Sequence, residues 1–285
     1  MRDVSLPSLD EPFPLDSALI EEFMAKGHCC VGNLATPLEC HAYLPEIQTG
    51  VDRWHPSPTP IDDRDTYGKA FLQAMALRSV HKPVRGFVDS PRFAHVAAAL
   101  MGVDAVRLYH DQALFKEAGG GRTPWHQDQN YWPLDTDDVI TMWMPLIDID
   151  PSVGSMTFID GSHLDGDVGA GEISDASDAA VQQSIERDAR PTSTHGVLAA
   201  GDATFHRGWT IHSAGPNPTD RMRPVMTIIW FADGARITEP TGPEQRFDLA
   251  TWLGNAEPGS LANGDANPIL WPPATAVPDT RHSGV

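Results

Sequence analysis

Cysteine is scarce in this chain, with three among 285 residues. Cys29 and Cys30 are adjacent and Cys40 lies further on, so the spacing contains no CxxC pair. Small secreted domains depend on dense disulfides, and structural zinc sites commonly use paired cysteines. The sequence therefore predicts neither a disulfide framework nor a zinc site of this kind, and the cysteine usage favours a reducing cytoplasm.

Basic residues are also few, since 20 Lys and Arg stand against 39 Asp and Glu, for a formal net charge of −19. Nucleic-acid binding needs a basic footprint that contacts phosphates, and anionic membrane surfaces attract basic segments in the same way. We therefore expect no nucleic-acid partner and no membrane partner. A strongly anionic substrate is disfavoured as well, unless a local basic pocket binds it.

Long apolar runs are missing too. A membrane-spanning helix needs about 20 consecutive apolar residues, and Asp3, Asp10 and Glu11 occupy the start of the chain. We expect neither a transmembrane helix nor a signal peptide, and we predict a cytoplasmic protein. Hydrophobic residues at 41% and charged residues at 21% are typical of a globular protein, and the length suffices for one domain.

The texture of the sequence changes near residue 103. Before it, helix signals dominate: Asp16 or Ser17 can cap a helix that Gly27 ends, and Ser90 precedes another. After it, short apolar runs alternate with Gly, Pro, Asp and Asn, which is typical of an antiparallel sandwich or a jelly roll. The runs that predict strands are 106–115, 139–149, 155–159, 203–206, 209–212 and 225–231.

The clearest chemical signal is the triplet His126-Gln127-Asp128. Alternate residues of a strand point to the same side, so His126 and Asp128 can face one site. Two histidines and one carboxylate are the ligand set that holds a non-heme Fe(II) and leaves one face open. His212, 86 residues after His126 (212 − 126), offers the third ligand. Such triplets also arise by chance, so the surrounding sequence decides what this one means.

Four blocks around the triplet resemble, in their order, the phytanoyl-CoA dioxygenase family of Fe(II)/2-oxoglutarate oxygenases. The resemblance extends from roughly residue 15 to residue 233. Each block alone is weak, whereas the ordered set is specific. The blocks are WHQD at 125–128, then Trp143 with GSM at 154–156 and GSH at 161–163, then Gly201-Asp202, and finally HSAGPN at 212–217 with Arg223.

The resemblance implies a single oxygenase domain over residues 1–285. Its fold would be mainly β with flanking helices, in the form of a double-stranded β-helix (jelly roll, cupin-like). We expect a largely helical part at 1–102 and a jelly-roll core at 103–235. We further expect an insertion at about 165–195 and an irregular C-terminal arm at 236–285.

The resemblance also implies Fe(II), 2-oxoglutarate and O2 as the cofactor and co-substrates. His126, Asp128 and His212 would be the iron ligands. Arg223 would bind the distal carboxylate of 2-oxoglutarate, because a guanidinium grips a carboxylate bidentately and keeps its charge. Arg221 is the alternative for this role, and it is otherwise a solvated turn residue.

Three further residues match co-substrate contacts of the family, namely Gln112, Gln127 and Trp143, and Ser213 is a fourth candidate contact. Trp143 is equally suited to the core. Gln127 lies between two ligands and should face away on an ideal strand, yet the family places it near the co-substrate. Ala214 stands where family members often have a serine that binds 2-oxoglutarate. Either Ser213 compensates for it, or the carboxylate relies more on the arginine.

The implied reaction hydroxylates a C–H bond of a small organic molecule, a secondary metabolite or amino-acid derivative, with release of succinate and CO2. Asp128 favours hydroxylation over halogenation, because related halogenases have a small residue at this position. Desaturation and epoxidation stay open. The rival is a metal-binding cupin-type protein that does not use 2-oxoglutarate. His206 and His110 are each either cavity residues or buried packing residues, and the protein is expected to be a monomer or homodimer.

Overall fold

Two antiparallel sheets form the centre of the protein, in a computed structural model that describes residues 6–169, 178–179, 181–183, 185 and 190–273. None of the helices in these ranges has the length and apolar character needed to cross a membrane. The strands are β1 His28–Val31, β2 Leu72–Met75, β3 Val106–Phe115, β4 Thr123–His126, β5 Val139–Pro145, β6 Met156–Ile159, β7 Thr192–Ser193, β8 Ala203–Arg207, β9 His212–Ala214, β10 Val225–Ala232 and β11 Ile269–Trp271. The helices are α1 Ser17–Lys26, α2 Pro37–Trp54, α3 Thr66–Ala70, α4 Leu77–Val80, α5 Arg85–Val88, α6 Pro91–Met101 and α7 Pro243–Trp252.

The larger sheet has seven strands in the order β1-β8-β5-β10-β3-β11, with β2 paired to β3. The smaller sheet has four strands in the order β4-β9-β6-β7. Neighbours in each sheet are antiparallel and many are distant in sequence, which is the crossed connectivity of a jelly roll. The predicted fold class, mainly β with flanking helices, is confirmed.

The sequence of strand β10 is almost continuously apolar. Met226, Ile228 and Trp230 pack into the core shared with the helices, while Val225 and Ile229 on the opposite face belong to other buried clusters. Both faces of this strand are therefore covered, so its sequence does not alternate between apolar and polar residues. Burial of each such side chain stabilises the fold by about 1.5–3 kcal/mol.

The hydrophobic core between the larger sheet and the helices contains Phe23 of α1, Ile47 of α2 and Phe93 of α6. Asp16 caps α1 through Ala18 N, at 3.0 Å, and Gly27 ends the same helix with a φ of 81°. The predicted beginning and end of this helix are confirmed. These helices cover the face of the larger sheet that lies away from the smaller one.

The strand expected at 209–212 begins three residues later, at His212. Thr210 N donates to Arg207 O at 2.9 Å, which makes a tight turn at the position of the apolar run. Trp209 contributes to that turn, and its indole Nε1 donates to Asp137 Oδ1 at 2.7 Å. The apolar run at 209–212 therefore wrongly predicted a strand, because Trp209 lies in a turn and not in a strand.

The segment expected to be an irregular arm contains helix α7 and strand β11, so that prediction was wrong within the described residues. Pro243 is the first helical residue of α7, where a proline costs no hydrogen bond. The proline-rich composition therefore suggested irregular structure, although Pro243 begins a helix. The expected insertion ends in strand β7, which pairs with β6. The middle of that insertion and residues 274–285 lie outside the described residues.

Candidate metal centre and co-substrate cavity

Three side chains, two of them close together in the sequence and the third 86 residues after His126, meet at the rim between β4 and β9. His126 and His212 are directly opposite one another in the pairing of these strands. Asp128 is the first residue of a 3-10 helix at Asp128–Tyr131 that follows β4 directly. One ligand atom from each of the three residues lies within 4.8 Å of the other two. Antiparallel pairing thus brings together residues that the sequence separates.

Both histidines are oriented by backbone carbonyl groups. His126 Nδ1 lies 2.8 Å from Pro124 O, and His212 Nδ1 lies 2.9 Å from Thr210 O. A carbonyl oxygen only accepts, so Nδ1 carries the proton and the Nε2 lone pair is free. The Nε2 atoms lie 3.5 Å and 3.6 Å from Asp128 Oδ1. These separations suit ligands that each bind one ion at about 2.0–2.2 Å.

The second carboxylate oxygen of Asp128 is held by two donors. Thr141 Oγ1 and His206 Nε2 each lie 3.1 Å from Asp128 Oδ2. Burial alone would raise the pKa of Asp128, but His212, His126 and His206 hold that pKa well below its usual range. Burial and the neighbouring histidines also lower the pKa of His212. The site therefore presents an ionised Asp128 carboxylate and a neutral His212 imidazole, the forms that bind a cation.

The triad opens onto a cavity of about 430 Å³. Its wall comes from both sheets, from the segment before β2 and from helix α7. Of the residues predicted to bind the co-substrate, Gln112, Trp143, Ser213 and Arg223 line it. Several other lining residues carry no signal in the sequence, namely Tyr67, Phe71, Gln73, Thr123, Thr141, Glu244, Phe247 and Asp248.

Arg223 lines this cavity as a buried cation. Its side chain is 2% exposed, and within the described part of the chain its Nε has no hydrogen-bond partner and no carboxylate pairs with it. Nη1 donates to Gly154 O, and the guanidinium lies 5.0 Å from the ring centroid of Trp143. Burial lowers the pKa of Arg223 to about 9. Because an unpaired buried charge is costly, this group is suited to an anionic ligand.

The alternative, Arg221, is exposed and does not line the cavity. Its backbone carbonyl accepts a hydrogen bond from Asn217 Nδ2 at 2.6 Å. This bond belongs to the loop that connects β9 to β10. The structure thus brings Arg223, and not Arg221, to the triad.

The profile of the phytanoyl-CoA dioxygenase (PhyH) family matches residues 23–225, which include the triad and Arg223. This chain belongs to the phytanoyl-CoA dioxygenase family. It is 26% identical over 174 residues to a probable alpha-ketoglutarate-dependent hypophosphite dioxygenase of Stutzerimonas stutzeri. That match covers 56% of this chain, and it spans only 58% of the relative's length.

Solved structures share the fold of this chain. The carbocyclase SnoK from nogalamycin biosynthesis superposes with a TM-score of 0.72 at 20% identity, covering 91% of this chain and 99% of SnoK. The epimerase SnoN, in complex with Fe3+, alpha-ketoglutarate and nogalamycin RO, superposes with a TM-score of 0.71 at 26% identity. The latter match covers 89% of this chain and 98% of SnoN. Both are non-heme alpha-ketoglutarate-dependent enzymes.

Gln127 does not reach the cavity in this member of the family. Its amide nitrogen donates to Gly166 O and Trp209 O, both at 2.7 Å, and its oxygen accepts from Val168 N at 3.1 Å. The side chain is fully buried on the side opposite to His126 and Asp128, as strand alternation requires. The expected co-substrate contact is therefore corrected: Gln127 fixes the loop at 166–168 to the segment between His126 and Asp128.

A threonine on the neighbouring strand supplies a hydroxyl near Ala214, the position where family members often have a serine. Ala214 and Ser213 both line the cavity, and Ala214 lies on the His212 side of β9. Thr123 is the cross-strand partner of Ala214 and also lines the cavity. Its hydroxyl oxygen is buried and has no partner among the described residues. A hydroxyl is thus present beside Ala214, on the paired strand, three residues before His126.

Proposed function

We propose that this chain is an Fe(II)- and 2-oxoglutarate-dependent dioxygenase that hydroxylates a C–H bond of a small organic molecule, with release of succinate and CO2. The observation that carries the proposal is one cavity that holds both a His-Asp-His triad and a buried, unpaired arginine. The triad is suited to the metal and the arginine to a carboxylate. A cupin-type protein without 2-oxoglutarate would have no use for Arg223.

In this proposal His126, Asp128 and His212 hold the iron. When bound, the iron supplies the oxygen chemistry, for which side chains have no equivalent. The protein contributes orientation: the Pro124 and Thr210 carbonyls fix the two imidazoles. The remaining carboxylate oxygen of Asp128 stays occupied by Thr141 and His206, which restrains the carboxylate in one orientation.

The co-substrate contacts follow from the cavity wall. Arg223 pairs with the distal carboxylate of 2-oxoglutarate, and Thr123 donates its free hydroxyl to the same carboxylate. Trp143 stacks against the guanidinium and keeps it in place. Gln112 lines the cavity with its oxygen already accepting from Gln73 Nε2 at 2.6 Å, which leaves its amide nitrogen to contact the co-substrate. Ser213 lines the cavity and is a further contact.

Succinate release tests the proposal. After anaerobic loading with Fe(II), the protein should convert 2-oxoglutarate to succinate only when O2 is admitted, and Asp128→Ala should abolish this. Arg223→Ala should raise the KM for 2-oxoglutarate at least about 30-fold, because a charge-assisted bond contributes about 2 kcal/mol. Arg221→Ala, two residues away and exposed, is the matched control and should change the KM less than about twofold. Succinate formation without iron, or an unchanged KM in Arg223→Ala, would contradict the proposal.

The product decides between reaction outcomes. SnoK is a carbocyclase and SnoN an epimerase, so proteins with this fold catalyse more than one type of reaction. A product that gains one oxygen atom supports hydroxylation or epoxidation, whereas a product that only loses hydrogen supports desaturation. Mass spectrometry of the product therefore tests the assignment. A small-molecule partner, a monomer or homodimer, and a cytoplasmic location stay predictions.

A further inference from the structure

Helix α7 forms one wall of the cavity. Glu244, Phe247 and Asp248 line it, and the two acidic residues are one helical turn apart on the same face. Gln245 Nε2 donates to Asn130 O at 3.2 Å, in the 3-10 turn that begins with Asp128. The wall is thereby fixed relative to the turn that carries Asp128, and none of its three lining residues has a proposed iron or co-substrate role.

Asp248 is an unusual residue for a surface helix, since its side chain is buried. Tyr109 Oη donates to its Oδ2 at 2.8 Å. Burial raises the pKa of Asp248 to about 7. Within the described chain no Lys or Arg forms an ion pair with this carboxyl group. A cation that entered the cavity would lower that pKa again and would be bound in return.

His110 provides the second, independent observation. Its side chain is 5% exposed and lines the cavity, and its Nδ1 has no partner among the described residues. The ring lies 4.7 Å from that of Trp252, one turn beyond Asp248 on α7. Burial lowers the pKa of His110 to about 4, so the imidazole is neutral and one ring nitrogen accepts. An unpaired buried polar atom at this place indicates a missing ligand group.

The rest of the cavity lining is rich in aromatic residues and poor in positive charge. Among the described lining residues, Arg223 is the one Lys or Arg, and the co-substrate uses it. Aromatic faces attract cations, and a negative protein of net charge −19 attracts them from a distance. The aromatic residues that line the cavity are Tyr67, Phe71, Tyr131, Trp132, Trp143 and Phe247.

We propose that α7 carries an amine-binding subsite, in which a protonated amine of the substrate lies between Glu244, Asp248 and His110. The three side chains offer acceptors, and an ammonium group has up to three donors, whereas an alcohol has one. The aromatic rings contact the apolar body of the same molecule. The inference rests on the proposed function only in taking this molecule as the substrate.

Matched probes test the subsite. Metal-free protein is titrated calorimetrically at pH 8 with 2-phenylethylamine and with 2-phenylethanol, which differ only in the ammonium group. The amine should bind at least about tenfold more tightly, which corresponds to about 1.4 kcal/mol. Equal affinity for the two probes, tighter binding of the alcohol, or no measurable binding of the amine would overturn the proposal.

Variants assign the preference to α7. Glu244→Gln and Asp248→Asn should each reduce the amine preference at least about threefold, since each removes one charge from the subsite. Glu239→Gln removes the same charge from an exposed position outside the cavity and should leave the preference intact. Survival of the preference in Glu244→Gln, whose side chain is not part of the core, would refute the assignment even if Asp248→Asn fails to fold. Because no metal is present, these results are independent of whether succinate release depends on iron.

Discussion

Thr123→Val replaces the free hydroxyl beside Ala214 with a methyl group at nearly the same volume. The Thr123 side chain is 7% exposed and its oxygen has no partner in the described structure. If that oxygen donates to the 2-oxoglutarate carboxylate, its loss should cost about 1.5–3 kcal/mol of binding, the usual range for a hydrogen bond to a charged group. We therefore expect the KM for 2-oxoglutarate to rise about 10- to 150-fold.

The stability of the ligand-free protein should change in the opposite direction. A buried hydroxyl without a partner destabilises the fold, so its replacement by methyl should leave the free energy of unfolding equal or slightly higher. Urea unfolding of the ligand-free variant measures this directly. Weaker co-substrate binding without weaker folding would separate a binding role from a structural one.

Thr204→Val is the matched control. The Thr204 hydroxyl is also buried without a partner among the described residues, yet Thr204 does not line the cavity. Its replacement should leave the KM for 2-oxoglutarate unchanged. The double variant Thr123→Val with Ala214→Ser returns a hydroxyl to the paired strand and should recover most of the affinity. A KM within about twofold of the parent in Thr123→Val would refute the reasoning.

Three other predictions concern the metal centre, the titration of Asp248 and the backbone. His206→Phe removes a hydrogen bond to Asp128 Oδ2 and should weaken iron retention about 10- to 100-fold in a competition with a chelator; unchanged retention would contradict the role given to His206. The raised pKa of Asp248, about 7 by burial, means that the folded state binds the proton more tightly, so stability should fall as pH rises from about 4 to about 7. Asp248→Asn should remove part of that fall in urea unfolding, and an identical pH profile would count against it. Gly201→Ala should lower the Tm strongly because the added Cβ would lie 1.9 Å from Ala35 O, whereas Gly234→Ala, with a similar φ of +95° and open space, should cost only the backbone strain of about 1 kcal/mol. Similar losses in both glycine variants would contradict the steric explanation.

Two members of the His-Asp-His triad could be predicted from the sequence because their pattern is local. His126 and Asp128 are two residues apart, and alternation along an extended chain is enough to place them together. Alternation also predicted the outward direction of Gln127, and the family expectation that overrode it was wrong. The cross-strand register that joins His126 to His212 has no such local pattern. There the resemblance supplied what spacing alone could not.

Several residues that line the cavity could not be predicted from the sequence, for physical reasons that differ from residue to residue. Glu244 and Asp248 look like ordinary helix-surface acids, because nothing in the sequence shows that Asp248 is buried against Tyr109. Thr123 becomes a candidate co-substrate contact only because it pairs with Ala214 on another strand. His206 reaches Asp128 only because β8 pairs with β5 opposite Thr141. Each of these contacts depends on pairing between distant segments, which composition and periodicity do not encode.

The family match ends at residue 225, and helix α7 lies beyond it at Pro243–Trp252. The residues proposed to hold the metal and the co-substrate are thus encoded in one stretch of the chain, while an acidic wall of the cavity is encoded in another. A hydrogen bond from the Gln245 side chain to Asn130 O joins the wall to the turn of Asp128. If α7 binds the substrate as proposed, substitutions in this one short helix would change substrate choice and leave the proposed metal and co-substrate residues unaltered.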